Sequence, residues 1–155
     1  YCKKSTDQLK LENLEKILND TSSNSFQIIN ETIMFGKKKK GSRILDKSLS
    51  EGVNAIALIR GLINYLKRLK KTKIELAKGH GFDDAIRTLS PPLFWKDKNN
   101  FREQCSKIPL NELERFLNSL HEAEVSCKTN SQLTNTICTR TLLSISQKTG
   151  KYFSV

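Results

Sequence analysis

A long amphipathic segment that begins at Asn54 constrains the fold of this chain more than any other feature. Asn54 is a favourable N-cap residue, so a helix is expected to begin there. At about 100° per residue, the apolar side chains that follow fall on one broad face, as in a helix with one side in a core. These residues are Leu58, Ile59, Leu62, Ile63, Tyr65, Leu66 and Leu69. Lys73 and Ile74 fall out of phase, which predicts a bend or restart near Thr72.

Shorter helical patterns fill most of the remaining chain, with glycines at their expected ends. The Pro91-Pro92 step is expected to begin a helix. Phe94 and Trp95 lie on that predicted helix, and we expect core packing for them in preference to an exposed stacking platform. The last helix is expected to stop by Gly150. Since no useful strand pattern occurs, the sequence predicts an all-α fold of about seven or eight helices.

Net charge narrows the classes of partner. The 155 residues include 27 Lys and Arg against 16 Asp and Glu, a formal net charge of +11. Such a balance favours contact with nucleic acid or an acidic partner. Most of the excess lies within residues 1–80, where the Lys37–Lys40 run is expected to be a flexible surface connector in a loop or first helical turn. The chain contains no run of about 18 apolar residues, so no segment is expected to span a membrane.

A basic stripe is predicted on the polar side of the long helix. Arg60, Lys67 and Lys71 follow one another at helical spacing, with Arg68 and Lys70 beside them, and no acid occurs between Glu51 and Glu75. Rows of this kind bind nucleic-acid backbones by displacing counterions. An ordinary solvated helix face is the alternative, although such a face usually mixes its charges.

Catalysis and metal binding are not expected. The chain lacks a phosphate-binding loop, a nucleophile elbow and an HExxH motif. His80 is interpreted as a loop histidine and His121 as a surface or boundary histidine. The four cysteines form no metal-binding spacing and are expected to be reduced, mostly buried thiols: Cys2, Cys105, Cys127 and Cys138. We therefore predict a non-enzyme without a cofactor.

Several segments, in this order, resemble one family. They include residues 25–31, the Ala57–Leu69 helix, the Leu89–Phe94 step with Pro91-Pro92, residues 109–117, residues 123–129 and residues 137–143. From about residue 22 the chain resembles the C-terminal collar domain of the delta subunit of the bacterial DNA polymerase III clamp loader, in its alphaproteobacterial form. Residues 1–21 resemble the last helix of the AAA+ lid domain before the collar.

The resemblance implies a collar domain of six to seven helices over residues 22–150, a lid remnant over 1–21 and a tail over 151–155. The chain is then a fragment, as its first residue, Tyr1, also suggests. The resemblance also implies a cytoplasmic, non-catalytic replication subunit that assembles with gamma/tau and delta-prime. The beta clamp would be contacted only through an absent N-terminal part, and primer–template DNA only in the assembled complex.

Lys128, expected in the loop between the last two helices, is a further candidate contact in this family. Two alternatives stay open: a free-standing basic helical protein that binds nucleic acid, and a secreted four-cysteine helical bundle.

Overall fold

The computed structural model describes residues 25–153, and this part of the chain is built from helices without a β-strand. The all-α prediction is therefore confirmed. A first helix, α1, covers residues 25–34, and six more follow: α2 Lys38–Ser50, α3 Ala55–Ala77, α4 Phe82–Arg87, α5 Lys98–Lys107, α6 Leu110–Thr129 and α7 Thr134–Phe153. Short 3₁₀ turns cover Trp95–Asp97 and Ser131–Leu133. The expected lid remnant, residues 1–21, lies outside the described residues.

Helix α3 is the centre of the fold and packs against α4, α5, α6 and α7. Asn54 caps it, since its side-chain oxygen accepts from the backbone N–H groups of Ile56 and Ala57 at 2.8 and 3.2 Å. All seven apolar residues predicted for its inner face are buried. Their burial confirms the predicted face and provides the main hydrophobic stabilisation.

The expected restart near Thr72 is wrong, because α3 continues without interruption to Ala77. Thr72 is fully buried, and its hydroxyl donates to the backbone carbonyl of Arg68 at 3.0 Å. The out-of-phase Lys73 is accommodated because its Nζ donates to the carbonyl of Cys105 at 2.5 Å. Tertiary contacts thus overcome the local phase error.

Two other predicted helix ends differ from the structure. The Pro91-Pro92 step begins no helix, and α5 starts only at Lys98, after the 3₁₀ turn. Helix α7 passes through Gly150 and continues to Phe153. Its end is held by tertiary contacts: Thr149 Oγ1 donates to the carbonyl of Ile33 at 2.9 Å, and the Phe153 ring meets the Phe35 ring at 5.0 Å.

Candidate functional site

Two stripe residues of α3, Arg60 and Lys70, form ion pairs across the α3–α6 contact. The Arg60 guanidinium donates to Glu124 at 2.7 Å, and the Lys70 ammonium lies 3.3 Å from Glu114. Lys128 also pairs with Glu124, at 3.4 Å. The hydrogen bond from Arg60 lowers the pKa of Glu124, and the bond from Lys128 contributes. These three cations are therefore used within the molecule.

The remaining stripe residues do not share one face. Arg68 and Lys70 are two positions apart, so their side chains leave α3 about 160° from each other. Lys71 Nζ donates to the carbonyl of Thr88 at 2.9 Å. Within residues 25–153, Lys67 is exposed and makes neither an ion pair nor a side-chain hydrogen bond. Of the six cations predicted as contacts, it is the one wholly available to a partner.

Lys128 lies in the last turn of α6, not in the loop that follows, contrary to expectation. Its position four residues after Glu124 explains the ion pair, since i,i+4 neighbours meet on a helix surface. The helix continues through Lys128 because Asn130 N–H bonds to the carbonyl of Ser126 at 2.9 Å.

Arg68 belongs to a partly buried polar cluster that sequence reasoning did not identify. Desolvation by burial lowers the pKa of Arg68, and its Nε has no hydrogen-bond partner among the described residues. Burial also raises the pKa of Glu31 and that of Asp97, whose carboxyl groups hydrogen-bond to each other. The side-chain amide of Asn100 donates to Glu31 Oε2 at 3.4 Å. The cluster joins α1, α3 and α5 to the Trp95–Asp97 turn.

A second buried bond supports this arrangement. The hydroxyl of Tyr65 donates to Gln104 at 2.5 Å, and burial raises the Tyr65 pKa well above its usual value. The Tyr65 ring also meets the Phe101 ring at 6.0 Å in an edge-to-face contact. Helices α3 and α5 are thereby fixed beside the turn that carries Trp95.

Phe94 and Trp95 form an exposed aromatic pair, so the expectation that they pack in the core is wrong. The side chains are 56% and 74% exposed, and their ring centroids lie 6.0 Å apart. Lys96 Nζ lies 5.9 Å from the Phe94 ring and 5.5 Å from the Trp95 ring. These residues precede α5 and are not on its inner face, which is why helical periodicity misplaced them. An exposed tryptophan beside an ammonium group can stack on a base and contact a phosphate.

Histidine and cysteine side chains show no catalytic arrangement in the described part of the chain. His80 lies in the loop after α3, with Nε2 3.6 Å from a Glu75 carboxylate. Cys105, Cys127 and Cys138 are buried free thiols, as predicted, whereas Cys2 lies outside the described residues. Burial raises the pKa of Cys105 and of Cys138 to about 12, so neither is a thiolate at neutral pH.

Within residues 25–153, no group of three or more His, Cys, Asp and Glu side chains is placed to hold a metal ion. No helix in this range combines the length and hydropathy needed to cross a bilayer.

The chain is similar to a protein of Rickettsia prowazekii (strain Madrid E) named "Probable DNA polymerase III subunit delta". The two are 30% identical over 119 residues, which cover 76% of this chain and 36% of the relative. The matched part is thus about a third of the relative's length. No family model and no solved structure matches the chain. The similarity agrees with the family resemblance of the sequence segments.

Proposed function

We propose that this chain is the C-terminal part of a delta-type clamp-loader subunit and acts in DNA replication without catalysis. The similarity to the rickettsial protein carries the proposal, because it extends over three-quarters of the chain. The all-α fold of the described residues supports it. Residues 1–21 would then be the end of a AAA+ lid and residues 22–150 the collar. The sequence predicts a tail over residues 151–155, but α7 continues through Gly150 to Phe153, so we assign residues 151–153 to the last helix of the collar.

The collar would assemble with gamma/tau and delta-prime in the cytoplasm, so that the complex can load the beta clamp on primed DNA. Ion pairs that join α3 to α6 fix these two helices, leaving their outer faces for neighbouring subunits. Among the predicted contact residues, we assign the contact first to Lys67, whose charge is not neutralised by a described carboxylate. Arg60, Arg68, Lys70, Lys71 and Lys128 would contribute mainly by shaping that surface.

Trp95 is the best-supported DNA contact in this proposal. Its exposure removes apolar surface from the core, which is unfavourable unless a partner covers the ring. Lys96 places a positive charge within 6 Å of both aromatic rings. This combination fits an unpaired base, because stacking is tolerant of sequence and a neighbouring phosphate is attracted to the ammonium.

Assembly is tested by mixing the 155-residue chain with purified gamma/tau and delta-prime and measuring the mass of the eluted complex by light scattering. A ternary complex is expected, with Lys67→Glu weakening it and Lys78→Glu, at a cation already paired with Glu75, leaving it intact. Failure of the unaltered chain to join the complex contradicts the proposal. Tight DNA binding at about 0.2 M salt without any assembly would instead support the free-standing nucleic-acid-binding protein.

The Trp95 contact is tested separately by its fluorescence, since the chain contains one tryptophan. Single-stranded DNA is expected to quench the emission, and Trp95→Ala to weaken binding by about 1–3 kcal/mol. Val125→Ala is the matched control, because Val125 is a 61% exposed apolar side chain on α6 without an aromatic ring. Equal losses in both variants, or no quenching, would count against a base contact.

A further inference from the structure

Positive charge is carried by three long stretches of this chain that contain no Asp or Glu. Residues 32–45 hold five Lys and Arg, residues 52–74 hold six, and residues 125–155 hold four. In the middle stretch, which forms most of α3, Arg60 and Lys70 are ion-paired with α6. Helices α2 and α7, from the first and last stretches, pack against each other, so the fold brings together basic segments that are distant in sequence.

The first two turns of α2 form what we call the α2 basic surface: Lys37, Lys38, Lys39, Lys40 and Arg43. All five residues are exposed. Among the described residues, none of them has a carboxylate within 4.0 Å, whereas nine other Lys and Arg side chains do. The charge of this surface is consequently available to an external anion.

The α2 basic surface is fixed in place, contrary to the expectation of a flexible connector. Gly36 turns the chain with a φ of +73°, and it lies directly against Gly150 of α7. Lys38 Nζ donates to Gln147 Oε1 at 3.3 Å, and Gly41 is buried beside Leu143. A surface held in this way loses little conformational freedom on binding.

The location of these cations is unfavourable in the free protein. The first turn of a helix carries partial positive charge, and α2 has no acidic residue there to offset it. Lys39 and Arg43 are i,i+4 neighbours of like charge, which also repel each other. A bound anion would reduce both unfavourable interactions, so the local electrostatics favour an anionic partner.

We propose that the α2 basic surface binds the phosphate backbone of nucleic acid, at a contact distinct from Trp95 and from the α3 stripe. Large exposed apolar side chains, which a protein interface core or membrane insertion would use, are absent from residues 37–47. Lys37 to Arg43 span about 9 Å along the helix, comparable to two or three phosphate steps. This contact goes beyond the proposed assembly with other subunits and does not depend on it.

The test uses the 155-residue chain and fluorescein-labelled 20-mer DNA, single- and double-stranded, with anisotropy measured across salt concentrations. Lys37, Lys39 and Lys40 are changed together to Gln, while Lys38 is kept because of its bond to Gln147. The matched control changes Lys47, Lys78 and Arg87 to Gln, which removes equal charge from ion-paired positions. Circular dichroism and thermal melting verify that both triple variants remain folded.

The α2 variant is expected to reduce the slope of log K against log salt by about 2 for single strands and nearly 3 for duplex, since each phosphate contact contributes about 0.7 or 0.9. The control variant should change this slope by less than about half a unit. Equal changes in the two variants would mean that net charge alone drives binding and would overturn the proposal. So would tighter binding of polyglutamate or of anionic phosphatidylserine vesicles than of DNA at the same salt. Because no other subunit is present, a negative result leaves the assembly test unaffected.

Discussion

Gly36 and Gly150 meet at the point where α2 is fixed to α7, but their roles are unequal. Gly36 has a φ of +73°, and a Cβ placed on it would lie 2.2 Å from the Cα of Gly150. A Cβ on Gly150 would lie 3.5 Å from the carbonyl oxygen of Gly36, an ordinary contact. The close approach therefore depends on glycine at one of the two positions.

We expect Gly36→Ala to lower the free energy of unfolding by about 3 kcal/mol or more, since it combines a left-handed backbone with a backbone clash. Gly52→Ala should lose only about 1–2 kcal/mol, because Gly52 also has a positive φ but no atom within 4 Å of its Cβ position. Gly150→Ala should be neutral or stabilising by up to about 1 kcal/mol, as a glycine replaced within a helix. Urea unfolding measures the stability of all three variants. Similar losses at positions 36 and 52 would show that the Gly36–Gly150 contact relaxes to accommodate an added Cβ.

Asp97 also leads to a specific prediction, because burial raises the pKa of its carboxyl group. A raised native pKa means that the folded state binds more protons than the unfolded state, so stability falls as pH rises through that range. The range begins near 3.8, the unfolded value for Asp. In Asp97→Asn, an amide donor would replace the carboxyl that faces Glu31.

Asp97→Asn is therefore expected to be more stable than the unaltered chain at pH 7, with the difference shrinking as pH falls and vanishing below about pH 3.8. Asp46→Asn serves as the control, since Asp46 is exposed and forms no ion pair with a described residue; its effect should stay within about 0.5 kcal/mol. Unfolding free energies measured in urea at pH 7 and pH 3.5 test this. A destabilised variant at pH 7 would indicate that the attraction of the Asp97 carboxylate to Arg68 outweighs the cost of its burial.

At the scale of single helices, periodicity predicted the structure wherever one face is clearly apolar. The inner face of α3 and the start of α6 after Pro109 follow directly from the sequence. Contacts between distant residues determined the rest. Lys73 reaches the carbonyl of Cys105 across 32 residues, and Glu124 binds Arg60 across 64. A helical projection cannot show that a cation is neutralised by another helix, so it overstated the free charge of α3.

Helix α2 carries a stability prediction that separates its electrostatics from its packing. Lys39→Glu is expected to raise the free energy of unfolding by about 0.3–1 kcal/mol at low ionic strength, because an acid in the first turn interacts favourably with the helix dipole. The same change should weaken DNA binding if the α2 basic surface holds phosphate. Lys47→Glu, near the end of α2, should instead be destabilising, as it opposes the dipole and breaks the pair with Glu51. Thermal melting at about 20 mM and 500 mM salt provides the measurement, and a gain that persists at high salt would exclude a dipole effect.

Over the whole molecule, one groove is lined by residues of both α2 and α5. Lys37 and Lys40 line it from the α2 side of the chain, and Asn100 lines it from α5, the helix that follows the Trp95–Asp97 turn. Glu103, also in the groove, is neutralised by Lys107 at 3.0 Å, so its repulsion of phosphate is reduced. We therefore expect a single strand that stacks on Trp95 to continue along this groove towards the α2 basic surface.

This geometry predicts that affinity depends on strand length in a particular way. A tetranucleotide should bind at Trp95 alone, so Trp95→Ala should weaken its binding while the Lys37, Lys39 and Lys40→Gln variant leaves it nearly unchanged. A 20-mer reaches both contacts, and each variant should then reduce affinity. When both contacts are removed, the loss should exceed either single loss, since two contacts on one strand act through a high effective concentration. Anisotropy titrations of the two variants and their combination at fixed salt measure these differences. A 20-mer that loses affinity only with Trp95→Ala would place the strand on a path away from α2, because lysines beside a bound strand would have contributed a salt-dependent share of the binding.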